Sequence, residues 1–225
     1  MIVCIHQPAY LPWLGYFDRV AASDLFIFLD TVQFERNSFT NRNRIKTANG
    51  PIWLTVPVRL KNHLEKSVIE IEIDNSQSWK KKHLRSIEQN YRKAPGFAGK
   101  FERLRLLYTP DDTRLAELCY RQLLFWLSEL KIATRVVRSS ELGVTGSKSD
   151  LVLSLCKEVG ANVYISGPFG RDYLVKRRFG EAKIEIRYRD FVHPVYPQLF
   201  GDFVPAMAVV DYWMNCAGPG IFGKE

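Results

Sequence analysis

Two short apolar runs near the start of the chain constrain its fold more than any other feature. Met1–Ile5 ends in a polar pair, and Leu25–Leu29 ends in Asp30. A loop rich in proline and aromatic residues separates them, followed by a helical pattern at Tyr16–Ala22. Because apolar runs are typical of parallel strands buried on both faces, the order predicts a strand–helix–strand unit. Ligands bind at the carboxyl ends of such strands, so the segment also predicts a site.

The rest of the chain extends this unit into an α/β protein. A length of 225 residues fits one domain over 1–225, and Asn49-Gly50 predicts a hairpin within a β-rich insertion at about 38–75. The expected fold class is a Rossmann-like parallel sheet flanked by helices. Further strands are predicted at Ile52–Val58, Val68–Ile73, Arg135–Arg138, Asn162–Ser166 and Ile184–Tyr188, and helices at Trp79–Tyr91, Phe97–Tyr108, Leu115–Leu130, Asp150–Val159 and Ala208–Cys216.

Charge and cysteine usage narrow the class of protein. A net charge of +8 favours an anionic partner, although a basic solvated surface explains it equally well. No apolar run is long enough for a membrane span, and Met1–Ile5 lacks the basic start of a signal peptide, so a cytoplasmic location is expected. The four cysteines are far apart, which argues against a zinc ribbon, and no metal site is predicted.

Polar side chains follow the first two predicted strands. His6 and Gln7 come directly after the first, and Asp30 and Gln33 follow the second. A histidine here is suited to act as a general base or to bind phosphate. The alternative is that His6 and Asp30 satisfy backbone groups of the loops.

A basic stretch lies between the second strand and the hairpin. On an extended strand, Arg42, Arg44 and Lys46 share one face, and Asn41 and Asn43 share the other. Three cations and two amides in six residues are suited to clamp a phosphate or carboxylate. A solvated basic loop is the alternative.

Two further motifs are candidate contacts to an anion. Trp79 and His83 share a helix face, beside lysines that oppose the helix dipole. The segment 166–173 follows a strand, with Gly167 permitting close backbone approach and Arg171 available to phosphate. It is not a Walker loop, and no Gly-x-Ser-x-Gly elbow of a hydrolase is present. A lysine-rich surface turn and a plain tight turn are the structural alternatives.

A set of motifs extends along nearly the whole chain. It consists of the opening motif His6-Gln7-Pro8-x-Tyr10-Leu11-Pro12-Trp13-Leu14-Gly15-Tyr16-Phe17, Asp30-x-x-Gln33-Phe34, 41–46, 53–58, Trp79-x-x-x-His83, Ser166-Gly167, 171–174 and 196–198. In these motifs the chain resembles the WbqC-like family. The resemblance implies a role in surface-polysaccharide gene clusters, in which an amino acid or acyl group is added to an amino sugar.

A weaker resemblance links the chain to nucleotidylyltransferases and pantothenate synthetases of the HUP superfamily. Their His-x-Gly-His loop would align with Trp13-Leu14-Gly15-Tyr16, where both histidines are absent. This departure counts against nucleotidyl transfer and leaves a HUP-type fold as the expectation.

The leading hypothesis is an acyl or aminoacyl transferase acting on a nucleotide-linked amino sugar or a related anionic small molecule. The alternatives are an ATP-dependent adenylyl or nucleotidyl transferase, which alone would imply ATP and Mg²⁺ as cofactors, and a non-catalytic binder of anionic glycan or RNA. A homodimer is left open. The expected catalytic residues are His6, Asp30 and His83, and the expected substrate contacts are Gln7, Tyr10, Trp13, Tyr16, Gln33, Asn41, Arg42, Asn43, Arg44, Lys46, Trp79, Ser166, Gly167, Arg171, Asp172 and Tyr173.

Overall fold

The structure is a computed structural model that describes residues 1–61, 63–216 and 221–222. Its strands are β1 (Ile2–His6), β2 (Leu25–Phe28), β3 (Arg42–Thr47), β4 (Gly50–Thr55), β5 (Arg135–Arg138), β6 (Val163–Ser166) and β7 (Glu185–Tyr188). Its helices are α1 (Leu14–Ala21), α2 (Trp79–Tyr91), α3 (Phe97–Leu107), α4 (Leu115–Glu129), α5 (Lys148–Glu158), α6 (Gly170–Tyr173), α7 (Lys176–Glu181) and α8 (Val209–Asn215).

Five of the strands form one parallel sheet, in the order β5-β2-β1-β6-β7. Strand β1 is central: Cys4 pairs with Phe26 of β2 on one side and with Ile165 of β6 on the other. The chain builds outward from β1 through β2 to β5 and then returns to the other side of β1 with β6. This Rossmann-like order confirms the predicted fold class.

The two faces of the sheet bury different sets of side chains. Cys4 and Phe26 pack with Phe17 of α1 and with α4 in one hydrophobic cluster. Val3 and Ile27 point the opposite way and pack with α5 and α7 in a second cluster. This alternation follows from the two-residue period of a strand, and burial on both faces explains why β1 and β2 are almost entirely apolar.

The hairpin of β3 and β4 lies outside the main sheet. Arg42 pairs with Thr55 and Thr47 with Gly50, so the turn is Ala48-Asn49, and Gly50 follows with φ of 97°. The hairpin predicted from Asn49-Gly50 is therefore confirmed, with the turn one residue earlier. The backbone of residues 38–75 otherwise holds short 3₁₀ turns and isolated bridges.

Two local predictions are wrong. The predicted strand Val68–Ile73 begins as a 3₁₀ turn at Val68–Glu70, because the Glu70 carboxylate accepts hydrogen bonds from the Ser67 backbone N–H and hydroxyl at 2.9 and 2.6 Å. Helix α1 begins at Leu14 and includes Gly15, which the sequence placed in the loop. The Trp13 ring folds over Gly15 and occupies the space of a β-carbon.

Among the described residues, no helix combines the length and apolar character that crossing a membrane would need. All four cysteines are free, and Cys4, Cys119 and Cys156 are buried.

Candidate functional site

The strand order reverses at the neighbouring strands β1 and β6, and we refer to the region at the carboxyl ends of these two strands as the crevice. Strand β1 ends at His6, followed by Gln7, and β6 ends at Ser166, followed by Gly167. Ligands of open parallel sheets bind where neighbouring strands have connections that run in opposite directions. The sequence predicted site residues at both of these strand ends.

Arg19 of α1 reaches into this crevice. The residue is only 8% exposed, and a β-carbon at position 167 would lie 2.6 Å from its Nη1 atom. Real β-carbons do not approach an atom that closely, so Gly167 provides the space in which the guanidinium sits. The glycine at the end of β6 is thus explained by a side chain that sequence reasoning did not select.

The charge of Arg19 has no carboxylate partner. Within the described ranges it forms no ion pair, whereas its neighbour Asp18 pairs with Arg189, which follows β7, at 2.5 and 2.8 Å. A buried charge is unfavourable unless it is paired and hydrogen-bonded. The crevice therefore has the electrostatic character of an anion site.

His6 lies beside this cation. Its Nδ1 is 2.9 Å from the carbonyl oxygen of Gln7, and its ring is 4.8 Å from the Tyr16 ring. Burial and, secondarily, the charge of Arg19 lower the pKa of His6 to about 3. Because a carbonyl only accepts, Nδ1 carries the hydrogen and Nε2 is left as an acceptor in a neutral imidazole.

Tyr16 and Cys4 lie under the crevice. The Tyr16 hydroxyl is buried without a hydrogen-bond partner among the described residues, and burial raises its pKa well above the ordinary value. Burial also raises the pKa of the Cys4 thiol to about 12, despite the nearby charge of Arg19. Both groups are therefore protonated at neutral pH.

The segment after β7 packs against Trp13, which directly precedes α1. His193 stacks on Trp13 with centroids 6.3 Å apart and planes 15° apart, and Phe191 meets Trp13 edge-on at 5.4 Å. The Nδ1 atom of His193 is 2.9 Å from the carbonyl oxygen of Pro194. Its Nε2 atom is buried and has no partner among residues that the structure describes. The sequence did not identify His193 as a site residue.

In the loop after β6, the positive charge of Arg171 is neutralised by a carboxylate. Arg171 forms a bidentate pair with Asp190 at 2.8 and 3.0 Å and lies 4.7 Å above the Tyr188 ring. Ser166 donates to the carbonyl of Gly167 at 3.0 Å. Asp172 is exposed, and Tyr173 is 41% exposed. Arg171 is thus less available to a ligand than Arg19.

Asp30 links the ends of two strands. It is fully buried and accepts hydrogen bonds from the Ser139 hydroxyl at 2.9 Å and from the Ser140 backbone N–H and hydroxyl at 3.0 and 2.8 Å. Gln33 donates to the carbonyl of Leu64 at 2.6 Å. Both side chains thus hydrogen-bond to neighbouring segments, which is the structural alternative considered for Asp30.

His83 belongs to a buried polar cluster. Its Nδ1 lies 2.8 Å from the Tyr10 hydroxyl, which is 2.5 Å from that of Tyr108, and Trp79 donates to Asn75 at 3.1 Å. Burial lowers the pKa of His83 to about 4, and a hydrogen bond to the Thr55 backbone, which acts to raise that pKa, offsets only part of the effect. His83 and His6 share no hydrogen bond or ring contact within the described part of the chain.

The basic stretch divides between two faces of the hairpin. Asn41 and Asn43 are buried, and their amides donate to Val56 and Leu11 carbonyls at 2.9 and 2.6 Å. Lys46 is 3% exposed, and its ammonium donates to the carbonyls of Gly201 and Asp202. Arg42 and Arg44 lie 4.2 and 5.5 Å from the Trp53 ring centroid.

The structure therefore gathers one part of the predicted site and separates the rest. The predicted residues that lie at the carboxyl ends of β1 and β6, or in the helical segments that follow those strands, are His6, Gln7, Trp13, Tyr16, Ser166, Gly167, Arg171, Asp172 and Tyr173. Arg19 was missed, although it lies three residues after Tyr16 and hence on the same side of α1. That helical spacing is the signal that would have found it.

Within the described residues, the crevice coincides neither with a group of metal-binding side chains nor with the cavity between the starts of β2 and β5. No group of histidine, cysteine, aspartate and glutamate side chains in the described part of the chain is arranged to hold a metal ion. The cavity, of about 390 Å³, is lined by Asp24, Lys131 and Thr134, among others. These residues precede β2 and β5, at the opposite edge of the sheet from His6.

Comparison with known proteins identifies the family of this chain. The model of the WbqC-like protein family matches residues 7–221. The chain belongs to this family. An uncharacterized protein of Mycobacterium tuberculosis, Rv1507c, is 37% identical over 215 residues, which cover 95% of this chain and 93% of that protein. No solved structure matches the WbqC-like chain, so its resemblance to HUP enzymes stays a prediction.

Proposed function

We propose that this WbqC-like protein is a transferase that modifies a nucleotide-linked amino sugar in the crevice between β1 and β6. One observation carries the proposal: the Arg19 cation is buried at the carboxyl edge of a Rossmann-like sheet and has no carboxylate partner among the described residues. A diphosphate linker would supply the missing negative charge. Membership in the WbqC-like family is consistent with a role in glycan biosynthesis.

The residues around Arg19 have the chemistry that such a transfer requires. The Arg19 guanidinium lies against Gly167, where a phosphate at the end of β6 would meet it, and the half-buried Trp13 precedes the helix that carries Arg19. The neutral His6 has a free acceptor at Nε2. An anion beside Arg19 would offset the positive charge that opposes protonation of His6, so substrate binding makes His6 more basic.

The proposed reaction is acyl or aminoacyl transfer to the sugar amine. The amine nitrogen attacks the carbonyl carbon of an activated acyl donor, the new C–N bond forms, and the bond to the leaving group breaks. The proton lost by the nitrogen passes to Nε2 of His6, and the leaving group departs with its bonding electrons. Asp30 and His83 stay outside this scheme because their side chains are already hydrogen-bonded to other parts of the fold.

Calorimetry with a panel of nucleoside-diphosphate amino sugars tests the proposal. We expect at least one to bind, and Arg19→Gln to weaken that binding by about tenfold to a hundredfold, as for loss of a charged hydrogen bond. Arg36→Gln is the matched control, because Arg36 is exposed and the substitution removes the same charge. Failure of the whole panel to bind folded protein, or equal weakening by both variants, contradicts the proposal.

A further inference from the structure

A second group of cations lies on the outer face of the β3–β4 hairpin. Arg42 and Arg44 point outward from β3, and Trp53 lies directly opposite Arg44 on β4. Trp53 is 44% exposed, and the neighbouring Phe39, 5.8 Å away between ring centroids, is 47% exposed. We refer to these four residues as the hairpin platform. It combines two guanidinium groups with two accessible aromatic rings.

The cations of the hairpin platform lack anionic partners. Across the described ranges, neither Arg42 nor Arg44 forms an ion pair, and the Nε atom of each is buried without a hydrogen-bond partner. Arg42 is held by Asn37, whose amide and carbonyl oxygens lie 3.4 and 2.5 Å from its Nη atoms. No described group accepts a hydrogen bond from the Arg44 side chain. The terminal Nη atoms of Arg44 therefore retain their donors for a ligand, whereas its Nε is buried.

Hydrogen bonds from the hairpin to the rest of the protein fix the position of the hairpin platform. The inward amide of Asn43 donates to the carbonyl of Leu11, and the backbone N–H of Ala208 donates to the Arg44 carbonyl at 2.8 Å. A guanidinium that is already stacked on an indole loses less conformational freedom when it binds an anion. The hairpin is therefore preorganised for recognition on its outer face.

We propose that the hairpin platform binds a small anion that carries a ring, with a sugar or nucleoside ring on Trp53 and its phosphate or carboxylate group on Arg44 and Arg42. Guanidinium groups match the geometry of both anions, and an exposed indole stacks with either kind of ring. The two aromatic rings and two guanidinium groups of the hairpin platform can together contact the ring and the anionic group of one ligand. This site uses none of the crevice residues, so it does not depend on the proposed transferase activity.

NMR titration of the indole N–H of Trp53, assigned with Trp53→Phe, tests the proposal in the full-length protein. The probes are glucose 1-phosphate against glucose, glucuronic acid, and UMP against uridine. We expect an anionic probe to shift this signal and to bind at least about tenfold more tightly than its neutral counterpart. Which anionic probe binds most tightly distinguishes a sugar phosphate, an acidic sugar and a nucleotide as the source.

Variants separate this site from the crevice. Arg44→Gln is expected to weaken binding about tenfold, whereas Arg36→Gln, which removes one charge from a neighbouring exposed position, leaves it unchanged. Arg19→Gln should also leave binding to the hairpin platform unchanged. Because the two sites share no residue, a failure of the crevice proposal would not alter this result, and the two proposals can fail separately. Equal binding of charged and neutral probes, no shift with any probe, or an effect of Arg36→Gln equal to that of Arg44→Gln overturns the proposal.

Discussion

At the scale of single residues, the charge of Arg19 adds to the effect of burial on the pKa of the neighbouring His6. Its guanidinium is buried against Gly167 and lowers the pKa of His6 further than burial alone. A cation near an imidazole opposes protonation, and an anion bound to that cation reverses the effect. His6 is therefore expected to respond to occupation of the crevice even if the ligand does not touch its ring.

NMR titration of His6, assigned with His6→Gln, measures this response. In the free protein we expect the imidazole to stay neutral down to about pH 4, because its pKa is lowered to about 3. Saturating pyrophosphate should raise that pKa, and Arg19→Gln should raise it in the free protein and abolish the response to pyrophosphate. An ordinary histidine titration in the free protein, or a response that persists in Arg19→Gln, contradicts this account.

At the scale of secondary-structure elements, the side chain of Asp30 joins the end of β2 to the turn after β5. We expect Asp30→Ala to lower the free energy of unfolding by about 3 kcal/mol, because the Ser139 and Ser140 donors lose their buried acceptor. Urea unfolding measures the loss, and Asp172→Ala, at an exposed position, is the control. Loss of activity at unchanged stability would instead support the catalytic role predicted for Asp30.

The elements show what could be predicted from the chain and what could not. Helix Trp79–Tyr91 and strand Arg135–Arg138 were predicted with the correct bounds, because local signals define them: an apolar stripe at helical spacing in the helix, and two adjacent β-branched valines in the strand. The segment 68–73 was misread because a local hydrogen bond from Ser67 to Glu70 outweighs its alternating pattern. The position of Arg19 depends on the tertiary contact between its side chain and Gly167 after β6, which no local pattern contains.

At the scale of the whole molecule, the last third of the chain returns to its beginning. His193 stacks on Trp13, and the backbone N–H of Val209 donates to the carbonyl of Pro12 at 2.9 Å. Arg189 pairs with Asp18 across a separation of 171 residues. The crevice is therefore complete only when both ends of the chain are folded, so its shape and the global stability are linked.

Asp211 is the buried acid through which this returning segment is held. It accepts hydrogen bonds from the Tyr91 and Tyr196 hydroxyls and from Gln198 at 2.7 to 2.8 Å. Burial raises its pKa, and those three hydrogen bonds offset only part of the effect. The folded protein consequently binds this proton more tightly than the unfolded chain, and the contribution of Asp211 to stability decreases as pH rises through its folded-state pKa.

Asp211→Asn tests this link. We expect a loss of about 1–3 kcal/mol in the free energy of unfolding, because the amide N–H groups would face the donors that now bind the carboxylate. The loss should be larger at about pH 4, near the ordinary pKa of an aspartate, than at about pH 8, since only the wild-type protein acquires a buried charge as pH rises through the raised pKa. Urea unfolding of both proteins at both pH values measures it, with Asp172→Asn as the control. A loss that is independent of pH, or larger at the higher pH, would mean that Asp211 is not the group that titrates.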